Sequence, residues 1–201
     1  MTKINKNIIL NIIGVFFLIL GIIAVFNTLY LGNPNQVIWF CYIILLLIGI
    51  GIFKRDAFLI SVQMSIVAIP LILWNIDFIF LLLRGKSLLG ITDYFLIPGP
   101  LLGKLITLQH LFTVPLAFYA ISMIKLKRTD LWKVAFLEII AVFIASRFIM
   151  PEESNVNCVY RNCLNIPINN PVFYVTFWFV TLFTLVLLTT FIISKMRFFR
   201  Q

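Results

Sequence analysis

Residues 8–31 read IILNIIGVFFLILGIIAVFNTLYL, a run without a single charged side chain. It is too long for the apolar core of a secretion signal, and no A-x-A cleavage pattern follows it. As a helix rising about 1.5 Å per residue, it is long enough to cross a hydrocarbon layer of about 30 Å. The stretch therefore predicts an uncleaved first span, preceded by Lys3 and Lys6.

The rest of the chain repeats this pattern. Gly32-Asn33-Pro34-Asn35 is a turn signal, and further apolar runs occupy 37–53, 57–83, 104–124, 131–150 and 172–194. The 57–83 run would be about 40 Å long as one helix, so it should tilt, or break near Asn75-Ile76-Asp77. Residues 84–103 mix charge, glycine and proline with apolar positions and read as an interfacial or re-entrant loop. Residues 151–171 read as a polar, asparagine-rich loop. The expectation is an all-α polytopic bundle of six spans, forming one membrane domain over residues 1–201.

Composition leads to the same class. The 201 residues are 62% hydrophobic and 11% charged, against about 45–50% and about 25% for soluble domains. A water-soluble globule is excluded. The net charge of +9 arises from 16 Lys and Arg against 7 Asp and Glu. These basic residues sit in small groups between apolar runs, as membrane topology requires and nucleic-acid binding does not. Six spans place both termini on one side, with eleven basic residues, and leave five on the other: Arg84, Lys86, Lys104, Arg147 and Arg161. Lys and Arg are retained on the cytoplasmic side, so both termini are expected in the cytoplasm of a cell-membrane protein. Three cysteines, one histidine and no CxxC motif argue against a metal centre, and no cofactor is expected.

An ionisable group inside a bilayer costs at least about 2.5–3.5 kcal/mol, so each one needs a partner, water or a function. Asn75, Asp77, His110, Arg147 and Cys41 fall at one level near the outer ends of their spans. Thr107, His110 and Thr113 form a stripe at i, i+3 and i+6, facing into the bundle. Pro70 and Pro115 each remove a backbone hydrogen bond beside this cluster, which suggests a cavity. In one reading, Asp77 or Asp93 orients and charges His110 while Arg147 holds an anionic head group. In a sharper version, His110 activates Cys41 for acyl transfer. In a third, Asp77 and Arg147 form an ion pair and His110 is interhelical packing.

Toward the cytoplasm, Gln63 and Glu138 share a depth. They could form a hydrogen bond with Glu138 protonated, or a proton or cation site. Cys158 and Cys163 lie in an outer loop, where a small disulfide is expected. Trp39, Trp74 and Trp178 should mark the outer interface and Trp132 the inner one.

The segments WNIDFIFLLLRGKSLLGITDYF (74–95), LQHLFTVPLAF (108–118) and PEESNVNCVY (151–160) together resemble a family of uncharacterised bacterial and archaeal integral membrane proteins. That family carries a W-N-I-D segment, a G-(I/L)-T-D-Y loop, an S-L-F-H-L helix start and a P-x-x-N-(I/V)-N-W-V segment in this order. More distantly, the chain resembles YwaF-type membrane proteins. The resemblance covers residues 70–160 and points to Asn75, Asp77, Asp93, His110, Asn155 and Asn157. The present chain has Thr107-Leu108-Gln109-His110 where the family has S-L-F-H, and Cys158 where it has Trp. The resemblance implies the membrane class and this choice of polar residues, and it implies no particular reaction.

Three functional classes follow: a structural or assembly subunit, a lipid- or acyl-directed enzyme using His110 with Asp77 or Cys41, and a small-solute or proton-coupled carrier. Membrane lipids are the expected partners, and a homo-oligomer or a protein partner is left open.

Overall fold

In the computed structural model, which describes residues 3–163 and 170–200, the chain folds into helices joined by turns and short loops. The helices are α1 (Lys3–Tyr30), α2 (Phe40–Phe53), α3 (Ala57–Arg84), α4 (Leu101–Thr107), α5 (Gln109–Ile124), α6 (Leu131–Phe148) and α7 (Pro171–Lys195). α4 and α5 meet at Leu108 and make one leg, so the bundle has six legs. Four of them, α1, α3, α4–α5 and α7, are long and apolar enough to cross a membrane. α2 is apolar but has only 14 residues, and α6 carries Lys133, Glu138 and Arg147 within its 18.

Local chemistry sets the ends of these legs. α3 starts where Asp56 caps it, its carboxylate accepting from the Leu59 amide at 3.1 Å. It stops at Gly85, whose φ of 71° is a left-handed conformation favouring glycine and lets its amide donate to Leu81 O at 2.8 Å. Asn170 caps α7 by accepting from the amides of Val172 and Phe173, and Pro171 sits at the first helical position, where no amide is needed.

Of the alternatives open to the third run, the break is not the one found, and the fourth leg begins earlier than expected. The third run does not break at 75–77: α3 is one helix of 28 residues that runs through Pro70. The side chains of Asn75 and Asp77 bond outward, to α5 and to the following loop, although Asn75 Oδ1 is left buried without a partner. The fourth leg begins at Leu101 rather than 104, directly after Pro98-Gly99-Pro100, and it steps at Leu108.

α3 is the central leg, touching α2, α5, α6 and α7. Every residue from Ile60 to Ala68 is buried, the pattern of a helix enclosed on all sides. α1 packs along α2 with little space between them: a Cβ at Gly49 would lie 2.7 Å from Leu18 Cγ and 3.2 Å from Gly14 O. Successive legs reverse direction, which gathers both chain ends and the turns at 54–56 and 125–130 at one end, here the basal end. There Arg55 bonds Asn7 O and Asn11 Oδ1, and the Leu126 amide donates to Phe199 O at 2.7 Å. The opposite, distal end carries the segments 31–39, 85–100 and 149–163.

Trp74 and Trp178 are buried inside the bundle rather than set at a rim. Their indole N–H groups find protein partners, Tyr94 Oη and Asn157 O, both at 3.0 Å. Trp39 is half-buried, and Trp132 is exposed.

Candidate functional site

Among the distal polar residues, Asp77 is the one most fully tied to a loop. Asp77, fully buried, receives the amides of Leu88 and Leu89 on Oδ1, and the amide and hydroxyl of Thr92 on Oδ2 at 2.8 Å each. Four donors fill the four lone-pair sites of a carboxylate. Asp77 therefore organises the 85–92 loop. It does not pair with Arg147, because the one ion pair among the described residues joins Arg128 to Asp130. Asp93 is exposed and accepts from the Ser87 hydroxyl.

His110 makes no side-chain hydrogen bond to Asp77, Asp93 or Cys41, and its Nδ1 is buried without a partner. Its ring lies against Trp74, with centroids 4.6 Å apart. Trp74 in turn stacks on Phe78 at 4.9 Å and meets the edge of Phe95. Asn75 Nδ2 donates to His110 O at 3.2 Å, joining α3 to α5 next to the Leu108 step. Tyr94, in the loop above, has its hydroxyl pushed up to about 12 by burial. Cys41 is a half-buried free thiol in the first turn of α2. The stripe at 107, 110 and 113 turns its hydroxyls back on the backbone: Thr107 donates to Gly103 O, and Thr113 to Gln109 O.

The 151–163 segment is a second built cap. Asn157, at φ 55°, accepts from the Phe40 amide and donates to Ile38 O and Ser146 Oγ, all at 2.9 Å. It thus joins the start of α2 to α6, and Trp178 of α7 bonds its carbonyl. Asn155, at φ 40°, accepts from the amides of Tyr160 and Arg161 and donates to Arg161 O. Both asparagines, to which the family resemblance points, have their side chains engaged inside the fold. Cys158 and Cys163 are joined by a disulfide. The six residues of the 151–171 loop that follow Cys163 lie outside the described ones.

Arg147 differs from the others. Its guanidinium lies 4.1 Å over the Tyr160 ring and reaches Val159 O at 3.4 Å, with no carboxylate partner among the described residues. It borders a shallow groove of about 290 Å³ whose other wall is the first two turns of α7, including Val172 and Val175.

In the basal half, Gln63 Nε2 donates to Glu138 Oε2 at 2.8 Å. The amide oxygen of Gln63 and the second carboxyl oxygen of Glu138, Oε1 in each, are buried without a partner, as are the hydroxyls of Ser61, Thr189 and Thr190. These five atoms lie within about two turns of the basal ends of α3, α6 and α7, three helices in mutual contact.

Sequence reasoning missed the partners more than the centres. Thr92 and Ser146 were not singled out, and Trp178 was read only as an interface marker, because the bonds they make span 15, 11 and 21 residues and no local pattern encodes them. No known protein family, curated protein or solved structure matches the chain.

Proposed function

We propose that the chain is a six-span integral membrane protein with both termini cytoplasmic, and that it serves as a structural or assembly subunit in contact with lipid. The observation that carries this reading is the saturation of Asp77. The strongest acidic candidate for catalysis has all four acceptor positions filled by its own loop, which leaves it nothing with which to charge His110. Asn155 and Asn157 are occupied in the same way. The unpaired Arg147 and the apolar groove beside it suit a lipid phosphate. The counts of basic residues support the orientation.

Thermal unfolding in detergent tests this reading. Under a structural role, Asp77→Asn destabilises the protein, while His110→Ala causes a smaller loss of packing, and the two effects add. An enzymatic role requires both variants to remain folded and to lose the same activity.

The unpartnered oxygens of Glu138 and Gln63, at about the depth of the unpartnered hydroxyls of Ser61, Thr189 and Thr190, favour a second reading, a proton-coupled carrier with Glu138 as the proton site. Proton uptake by proteoliposomes that Glu138→Gln abolishes would support it over the structural role.

A further inference from the structure

A further concavity lies at the basal end and belongs to none of the groups above. It encloses about 620 Å³ between the start of α1, the α2–α3 turn and the end of α5. Six of the chain's 16 Lys and Arg line it: Lys6, Lys54, Arg55, Lys125, Lys127 and Arg128. They come from three segments far apart in sequence. Retention of basic residues on one side of a membrane requires them to flank the spans, but it does not require them to converge on a cavity.

The six have different duties. Arg55 is held by Ile52 O, Asn7 O and Asn11 Oδ1, Lys125 by Phe198 O, and Arg128 by Asp130 and the face of Phe58. Arg55 and Lys125 also sit at φ 56° and 74°, which side-chain-bearing residues rarely adopt, so two backbone outliers border the same cavity. These three build the walls. Lys6, Lys54 and Lys127 have no acidic partner among the described residues. The one acid in the lining, Asp56, is engaged as the cap of α3. The residues of the first turn of α3, Ala57 and Phe58, border the cavity as well, and first-turn amides lack intrahelical acceptors. Leu10, Phe58 and Ile124 give the cavity an apolar floor.

We propose that this cavity binds the phosphate-bearing head group of an anionic membrane lipid, with Lys6, Lys54, Lys127 and the amides of Ala57 and Phe58 engaging the phosphate and the apolar floor receiving the lipid's glycerol and first acyl carbons. A free phosphate would use the same cations but would have no use for that floor. Basic pockets between membrane helices are suited to such head groups. The inference rests on the membrane reading proposed above.

The test is native mass spectrometry of the purified full chain, exposed in detergent to equal amounts of phosphatidylglycerol and phosphatidylcholine. The expected result is at least a tenfold preference for phosphatidylglycerol, weakening as salt is raised. The triple variant Lys6→Gln/Lys54→Gln/Lys127→Gln should lose that preference, and the corresponding triple Lys→Arg variant should keep it. A charge-matched control outside the cavity, Lys133→Gln/Lys195→Gln/Arg197→Gln, should bind like the parent. Equal loss in the control would mean diffuse surface attraction and would overturn the site. Displacement of phosphatidylglycerol by glycerol 3-phosphate at equal concentration would overturn the lipid source in favour of a free phosphate. Alkaline carbonate washing of membranes tests the underlying reading separately, because release of the chain would sink its membrane assignment whatever lipid it binds.

Discussion

Thr92 bonds Asp77 twice, through its amide and its hydroxyl, each 2.8 Å from the same carboxylate oxygen. With the Leu88 and Leu89 amides on the other oxygen, this folds the chain leaving α3 back over the helix's last two turns. A carboxylate buried in that position acts as the template for a loop. Removing it leaves three amides and a hydroxyl without an acceptor.

Asp77→Ala should therefore destabilise the protein by about 3–5 kcal/mol, since several buried neutral donors lose their acceptor at about 1–3 kcal/mol each, with partial relief as the loop relaxes into water. Thr92→Val, which deletes only the hydroxyl bond, should cost about 1 kcal/mol. Chemical unfolding in detergent measures both, and Lys86 in the loop gives trypsin a cleavage site whose exposure reports the local effect. If Asp77→Ala unfolds at the same point as the parent, the template role is wrong.

Asn157 joins α2 to α6 through three side-chain bonds. Asn157→Ala should cost about 2–3 kcal/mol, at about 1 kcal/mol per bond. Asn157→Gly loses the same bonds but relieves the left-handed backbone at φ 55°, so it should be the milder of the two by about 1 kcal/mol. The reverse order would mean that the backbone there is not constrained as described.

The legs were readable from sequence because an apolar run has a length and a composition, and both are local. The end of α3 at Gly85 and the start of α7 at Asn170-Pro171 follow from single residues. The distal end was harder. Asp77 was identified as a buried polar residue that needed a partner, but its partners are backbone amides 11 to 15 residues onward, and backbone groups leave no trace in composition. His110 and Arg147 read as lying at the level of Asp77, which invites pairing with it, yet helix depth says nothing of rotation about the axis. The basal cavity was invisible for the same reason: its lysines read as separate flanking groups until the legs were assembled.

The Cys158–Cys163 bridge closes a short loop, so its effect on stability should be modest, about 2 kcal/mol by loop-closure entropy. Neither cysteine should react with maleimide in the unreduced protein. After reduction both should, giving a mass increase of two labels beyond that at Cys41. Labelling of either one without reductant would show the bridge to be absent.

Gly49→Ala sets two effects against each other. Alanine improves helix propensity by about 1 kcal/mol, but the new Cβ meets Leu18 Cγ at 2.7 Å and Gly14 O at 3.2 Å. Leu18 Cγ is not the far end of its side chain, and Gly14 O belongs to a backbone. Overpacking costs about 1–3 kcal/mol, so a net loss of about 1 kcal/mol is expected in the melting of the purified protein. A gain in stability would mean that α1 and α2 are less closely packed than described.

Gln63 and Glu138 share one hydrogen bond, and each keeps one buried oxygen without a donor. If Glu138 were ionised, both of those oxygens would be acceptors and a charge would sit uncompensated among helices α3, α6 and α7. A proton on Glu138 Oε1 supplies the missing donor and removes the charge in one step. Glu138→Gln, which replaces that O–H by an N–H on a side chain of the same shape, should then leave stability within about 0.5 kcal/mol of the parent. Glu138→Ala should cost about 2 kcal/mol, because it strands the Gln63 amide. Infrared spectroscopy gives an independent check: the protein at neutral pH should show the C=O stretch of a protonated carboxyl, and Glu138→Gln should lack it. A strongly destabilised Glu138→Gln with no such band in the parent would mean that the carboxylate is charged, with a cation or water as its partner.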